Sequence, residues 1–348
     1  MERLSDRLLE YLKSAQGKIV YLKDIRLAFN IEPGSKDDSN LRTQLSTTMV
    51  EHKIVSPSGR NDGAYKVIKP VYPVRVFLPG RERRPIFNLK FPQDRQKQNE
   101  IGIASHIVMR EGDLITIGGV KSKSKTTLCL NFTAENIEVK PILMGNEYTV
   151  LTDGAYQPAP RFLNRLDEMK EWVNWIDDEG YDRFTLLPVR DDYAEHIIKD
   201  RINIIDWINL DASRLYDISR VLEDCKSAIG KGILIVAIQM GENAINPRGG
   251  QFVRDFSDVE ILLGGFGNED FLMTIKGVKE TPKGKSSIIG KTYAYSVAAN
   301  GTQIWNFREV IRCSKCKGSG TIKGDECFIC QGKRYIEKIK PKEIDLDF

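Results

Sequence analysis

Residues 113–131 read DLITIGGVKSKSKTTLCLN, an apolar run that enters a glycine turn and leaves into helix-forming sequence. That order predicts strand, phosphate loop and helix. Such a loop needs backbone N–H groups converging on a phosphate, a lysine to meet its charge and a hydroxyl for Mg²⁺. Gly119, Lys125 and Thr126 stand at the G-x-x-x-x-G-K-[ST] spacing, and Ser124 and Thr127 complete the expected nucleotide-binding set. Ser124 departs from the pattern, since it takes the place of the last glycine. A Cβ there obstructs the tight turn against the phosphates, which predicts weakened or reshaped binding. The same residues also fit a lysine-rich surface turn after a buried strand, because Lys121, Lys123 and Lys125 alternate with serines.

A chain of 348 residues exceeds the size at which one core usually stops growing, so two or three domains are expected. The 41% hydrophobic content supports a substantial core, and the formal charge of +4 does not by itself argue for a nucleic-acid partner. No apolar run reaches membrane-spanning length and no signal-peptide core opens the chain, so no membrane association is expected. Six cysteines, four of them clustered, suit a reducing compartment such as a cytoplasm, of the host cell if the source is viral, and a metal site rather than a disulfide framework.

Residues 1–69 predict a helical module ending in a hairpin. Leu4, Leu8, Leu9 and Leu12 mark one helical face, and residues 20–29 a second short helix. A third helix is expected to be capped by Ser39, with Leu41, Leu45, Met49 and Val50 inside and Arg42, Thr43, Gln44 and Thr47 outside. Two short strands then flank a turn carrying Arg60. Three helices followed by such a wing resemble a winged helix-turn-helix, which makes Arg42, Gln44 and Arg60 candidate DNA contacts. Winged helices also serve as protein contacts. Residues 70–99 hold five prolines, and seven Arg or Lys lie between Arg75 and Lys97. They are expected to form a stiff basic connector, either solvated or tracking a phosphate backbone.

Beyond the loop, residues 147–152, 184–189 and 233–238 read as strands, 161–176 and 216–229 as helices, and 201–211 hold a further apolar run. Strands alternating with helices predict an α/β core over 100–308, a mostly parallel sheet with helices on both faces. Its ligand is expected beyond the C-terminal strand ends, where Gly119, Asp153, Asp206 and Gln239 gather. Asp206 ends an apolar run, the place where a phosphate-loop ATPase keeps the acid that holds Mg²⁺ through water. A strand-end Asp also commonly caps the next helix.

This order of elements, with the strand-end Gln239 and then Asn246-Pro-Arg-Gly-Gly-Gln-Phe-Val-Arg-Asp-Phe-Ser-Asp258, resembles the RecA-like ATPases of the hexameric replicative helicase (DnaB-type) group, especially short phage and plasmid members. The resemblance implies ATP and Mg²⁺ as cofactors, with Lys125 and Thr126 in the phosphate loop, Asp206 as the Walker B acid and Gln239 sensing the γ-phosphate. It also implies that Arg248 belongs to a loop facing DNA, and that Lys276, in Met273-Thr-Ile-Lys-Gly-Val-Lys279, reaches a neighbouring subunit's site. The family's catalytic glutamate has no clear counterpart. Asp153 is the nearest acid and is one methylene shorter, so hydrolysis is expected to be slow or absent.

Cys313-Ser-Lys-Cys316, ten residues, then Cys327-Phe-Ile-Cys330 supply four thiolates on two tight turns, the set that tetrahedral Zn²⁺ needs. Each pair is followed by glycine, which resembles the cysteine-rich module of DnaJ-type chaperones. This module, 309–348, is expected to bind zinc and, being basic, to serve as either a nucleic-acid or partner contact or a staple for a segment too short to hold a core. Together these readings predict a DNA-dependent, helicase-like ATPase of replication or recombination, from a phage or mobile element. It would work as a ring or filament, beside other replication proteins. A scaffold that does not hydrolyse ATP, or a winged-helix transcription regulator, are the alternatives.

Overall fold

The computed structural model describes residues 3–58, 63–70, 85–145, 147–208, 217–241, 244, 246–267 and 269–338, in two compact units that divide after Arg81. In the first unit, α1 (Leu4–Ser14) is followed by β1 (Ile19–Tyr21), α2 (Leu22–Phe29), α3 (Lys36–Thr43), the single turn α4 (Met49–Glu51), β2 (Val55–Pro57) and β3 (Ala64–Val67). The strands form an antiparallel sheet in the order β1-β3-β2. Leu8, Leu12, Ile25, Leu41, Leu45 and Met49 pack beneath it. The expected second helix therefore begins only after a short strand, because Val20 pairs with Tyr65.

Two details of the third helix differ from expectation. Ser35, not Ser39, caps it, accepting from the Asp38 N–H at 3.1 Å; Pro33 and Gly34 break the chain just before. The helix then widens into a π turn over Gln44–Thr48. That turn leaves Arg42, Thr43 and Thr47 exposed but draws Gln44 half inward, with its Oε1 buried and without a hydrogen bond among the described residues. Arg60 lies outside the described residues.

The second unit is built on one large sheet. Its elements are β4 (Gln93–Asp94), β5 (Asn99–Glu100), β6 (Leu114–Gly119), α5 (Lys125–Glu135), β7 (Ile142–Met144), β8 (Thr149–Thr152), β9 (Ala155–Pro158), α6 (Pro160–Met169), β10 (Thr185–Leu187), β11 (Ile202–Ile208), α7 (Ile218–Ala228) and β12 (Ile233–Gln239). There follow α8 (Gln251–Phe256), β13 (Val259–Phe266), β14 (Asp270–Val278), β15 (Thr292–Ala298), β16 (Gln303–Arg312), β17 (Thr321–Ile322), β18 (Asp325–Glu326) and β19 (Tyr335–Glu337). The order β10-β7-β11-β12-β6-β13 is parallel throughout, and β14, β15 and β16 continue it antiparallel.

The α/β expectation holds, because strands buried on both faces need apolar runs and helices above and below. Along β6, Ile115 and Ile117 face one layer, shared with Leu128 and Phe132 of α5 and Phe162 of α6, while Leu114 faces the other, shared with Ile218 and Leu222 of α7 and Val253 of α8.

The sequence reading did not foresee how far the sheet extends. Residues 85–99 are not a linker: Leu89 and Phe91 are core, and the Asn136 amide grips the Lys90 backbone at 3.0 and 2.9 Å. Arg95 pairs with Glu135 and lies 3.3 Å over the Trp172 ring. Nor does the cysteine module begin at 309, since β16 runs through that position and pairs with β19 on the far side of the module. Among the described residues no helix is long and apolar enough to cross a membrane.

Candidate functional site

The loop between β6 and α5 opens onto a cavity of about 1080 Å³, a volume that accommodates a nucleotide. Loop residues 121–127 line it, with Glu147, Tyr148, Gln239 and Arg248. Gly119 ends β6, where a Cβ would press on Leu263 and on the Lys125 stem at 3.2 and 3.3 Å. The Lys125 ammonium is buried and donates to the Gly119 and Val120 carbonyls, 2.9 Å each. Burial lowers its pKa, with Asp206 acting in opposition.

Ser124 is in the left-handed region, φ 57°, the conformation in which a glycine carries no Cβ penalty. Its hydroxyl meets that of buried Tyr295 on β15 at 2.5 Å. Two further bonds fasten α5 to the turn before β16: Thr127 Oγ1 donates to the Gly301 carbonyl and Asn131 Nδ2 to the Thr302 carbonyl, each at 2.7 Å. Thr127 therefore lies at the cavity but spends its hydroxyl on the protein.

Asp206 lies on β11, separated from β6 by β12, and is 3% exposed. Burial pushes its carboxyl up, against the Tyr148 hydroxyl, which donates to Oδ2 at 2.7 Å, and against Thr126 and Lys125. Thr126 is near enough to favour the carboxylate without a hydrogen bond of standard geometry, because Oδ1 is buried and has no such partner among the described residues. A buried carboxylate oxygen without a partner beside a loop threonine is the donor set that Mg²⁺, or a water of its shell, satisfies. Gln239 ends β12, next to β6, and its carbonyl accepts from the Arg248 N–H at 3.0 Å.

Asp153 is corrected in position. It and Gly154, with φ of 51° and 79°, form the two-residue turn of the β8-β9 hairpin, which stands off the main sheet. Asp153 is exposed there and does not line the cavity. The second parallel strand is β7, and the acid that follows it into the cavity is Glu147. Sequence reasoning missed it by fusing Glu147 with β8. One signal was available: Asp153-Gly154 is an Asp-Gly pair, a strong hairpin mark. Lys276 lies half-buried on β14, outside the cavity lining, and Arg248 lies inside it.

The second site is at the end of β16. Cys313, Cys316, Cys327 and Cys330 are all buried, with their sulfurs within 4.8 Å of one another. Cys313 to Cys327 measures 3.9 Å and Cys316 to Cys330 3.6 Å. Zn–S bonds of about 2.3 Å at tetrahedral angles set the sulfurs about 3.8 Å apart, so the four thiols fit one zinc ion. Gly320, φ 85°, has no room for a Cβ, which would fall 2.8 Å from the Gly332 carbonyl, and its N–H points at Cys316 Sγ, 3.4 Å away. Burial alone would raise the Cys316 thiol, but this amide and the neighbouring sulfurs outweigh it and lower it, while Cys330 is pushed up.

No known protein family matches the chain, and no curated protein matches it by sequence. Among solved structures, the RadB recombinase is similar at 15% identity over 56% of this chain and 91% of that one, with a TM-score of 0.41. A likeness that remote carries nothing about activity or residues.

Proposed function

We propose that this chain is a nucleotide-binding ATPase of the RecA-like kind that works on DNA, in replication or recombination, as an oligomer. The observation that carries the reading is the strand order: the loop strand β6 and the acid strand β11 enclose β12, so that Lys125 and Gln239 line one cavity and Asp206 is buried beside it, bonded to the lining residue Tyr148. Lys125 and Thr126 serve the phosphates, Asp206 holds Mg²⁺, and Gln239 meets the terminal phosphate. Glu147 takes the water-orienting part that Asp153 does not reach. Lys276, outside its own cavity, is left for a neighbouring copy, and zinc staples the cysteine module.

The first unit supports the DNA reading through its order α1-β1-α2-α3-α4-β2-β3, in which α3, the π turn and α4 run on as the third helix of a winged helix-turn-helix, with Arg42 exposed on α3. Arg248 is better placed to report the nucleotide to DNA than to hold DNA alone.

ATP hydrolysis with and without single- and double-stranded DNA tests the proposal, read beside oligomer size. Wild-type protein should bind ATP, and Lys125→Ala should abolish binding while leaving the circular dichroism spectrum unchanged. DNA affinity should fall steeply with added salt. Binding without turnover, on DNA or off it, would favour the scaffold instead.

A further inference from the structure

The cavity holds more positive charge than a phosphate loop accounts for. Besides Lys125 it is lined by Lys121, Lys123, Arg161, Arg165 and Arg248, and none of these five makes an ion pair among the described residues. Two of them lie on a helix rather than on a loop. Arg161 and Arg165 lie on α6, four positions and so about one turn apart, on a common face.

The cavity also has a direction. At the antiparallel side of the sheet it is lined by Phe271 of β14 and Val297 of β15, apolar surface that suits a nucleobase. Towards the parallel side lie Glu147, after β7, and Tyr148, whose hydroxyl donates to Asp206 at 2.7 Å. The Tyr148 ring lies 4.7 Å from that of Phe162 on α6, centroid to centroid, which places α6, and with it Arg161 and Arg165, at the acidic end. A nucleotide with its base at Phe271 and its β-phosphate in the loop carries its last phosphate towards Asp206, and so towards α6.

We propose that Arg161 and Arg165 form a clamp, within the same chain, for the terminal phosphate of a nucleoside triphosphate. The inference rests on the nucleotide reading of the cavity. A guanidinium stays charged and offers a fork of donors that matches phosphate oxygens, so it favours the triphosphate over the diphosphate. The chain thus discriminates the two with its own residues, before any neighbour contributes.

The experiment is calorimetric titration of the full-length protein, in Mg²⁺, with a non-hydrolysable ATP analogue and with ADP. The Arg161→Ala/Arg165→Ala double variant should lose about tenfold or more in affinity for the analogue and stay within about twofold for ADP, the loss expected when charge-assisted hydrogen bonds are removed. Arg161→Lys/Arg165→Lys keeps the charge and the helix, and should recover part of the loss. Equal loss for both nucleotides, or loss for neither, overturns the clamp and leaves the nucleotide reading standing. Wild-type protein that binds neither nucleotide overturns both.

Discussion

The Ser124 hydroxyl lies 2.5 Å from that of Tyr295, a residue 171 positions further along the chain. The side chain that replaces the loop glycine is therefore not idle: it ties the first turn of the phosphate-loop helix to the antiparallel half of the sheet. Left-handed backbone costs a non-glycine residue about 1–2 kcal/mol, and one part-buried hydrogen bond returns about 1 kcal/mol. The loop is thus a serine version of a glycine turn, held by a long-range partner.

This pairing makes a prediction that neither residue makes alone. Tyr295→Phe should cost about 1–2 kcal/mol by leaving the Ser124 hydroxyl without its partner, and Ser124→Gly should gain little, because it strands the buried Tyr295 hydroxyl. The double variant should be more stable than either single one, with tighter nucleotide binding than wild type. Chemical denaturation of the four proteins checks it; additivity within about 0.3 kcal/mol would show that the two hydroxyls do not interact.

Glu147 and Asp153 are separated by β8, which carries Asp153 to the hairpin tip and away from the cavity. Glu147→Gln should leave nucleotide affinity intact and lower turnover by about 10²–10⁴-fold, the range of a lost general base. Asp153→Ala, at an exposed turn, should leave turnover within about twofold. The reverse pattern in steady-state kinetics would return the role to Asp153.

Four sulfurs at tetrahedral spacing should hold one ion. Metal analysis of the purified protein should find about one equivalent of zinc, lost in Cys313→Ser, and chelation should loosen residues 313–338 in hydrogen exchange while the parallel strands keep their protection. A folded, metal-free wild-type protein would sink the assignment.

In the first unit, Asp38 accepts from Arg26 Nε and Nη2 at 2.7 and 2.8 Å and from the Gly34 N–H at 2.9 Å. The Arg26 guanidinium, with that amide, holds its carboxyl at about 2, below the ordinary 3.8. A depressed folded pKa contributes stability that is complete above the unfolded value and is lost as pH falls from about 4 towards 2. The unit formed by residues 3–70 should lose protection across that window, and Asp38→Asn should be destabilised at neutral pH and show a smaller acid-dependent loss. Residue-resolved hydrogen exchange on the full chain measures both; parallel pH profiles for the two proteins would remove Asp38 from the account.

The sequence by itself determined what is carried by short-range chemistry. The loop spacing from Gly119 to Thr126, the two cysteine pairs, the apolar runs of β11 and β12 and the helix of α7 are each a pattern within about a dozen residues, set by turn geometry, ligand spacing or periodicity. Tertiary structure decided what depends on pairing between distant segments. Whether residues 85–99 are linker or core turns on Asn136 and Arg95 finding their partners, and whether the sheet stops at β13 turns on the registers of β14, β15 and β16. The choice between Glu147 and Asp153 is of the same kind. Both are acids near an apolar stretch, and only the pairing of β8 with β9, rather than with β7, turns one into the cavity and the other into solvent. Such pairings are fixed by the burial and hydrogen bonding of the whole sheet, a quantity no local window of residues contains.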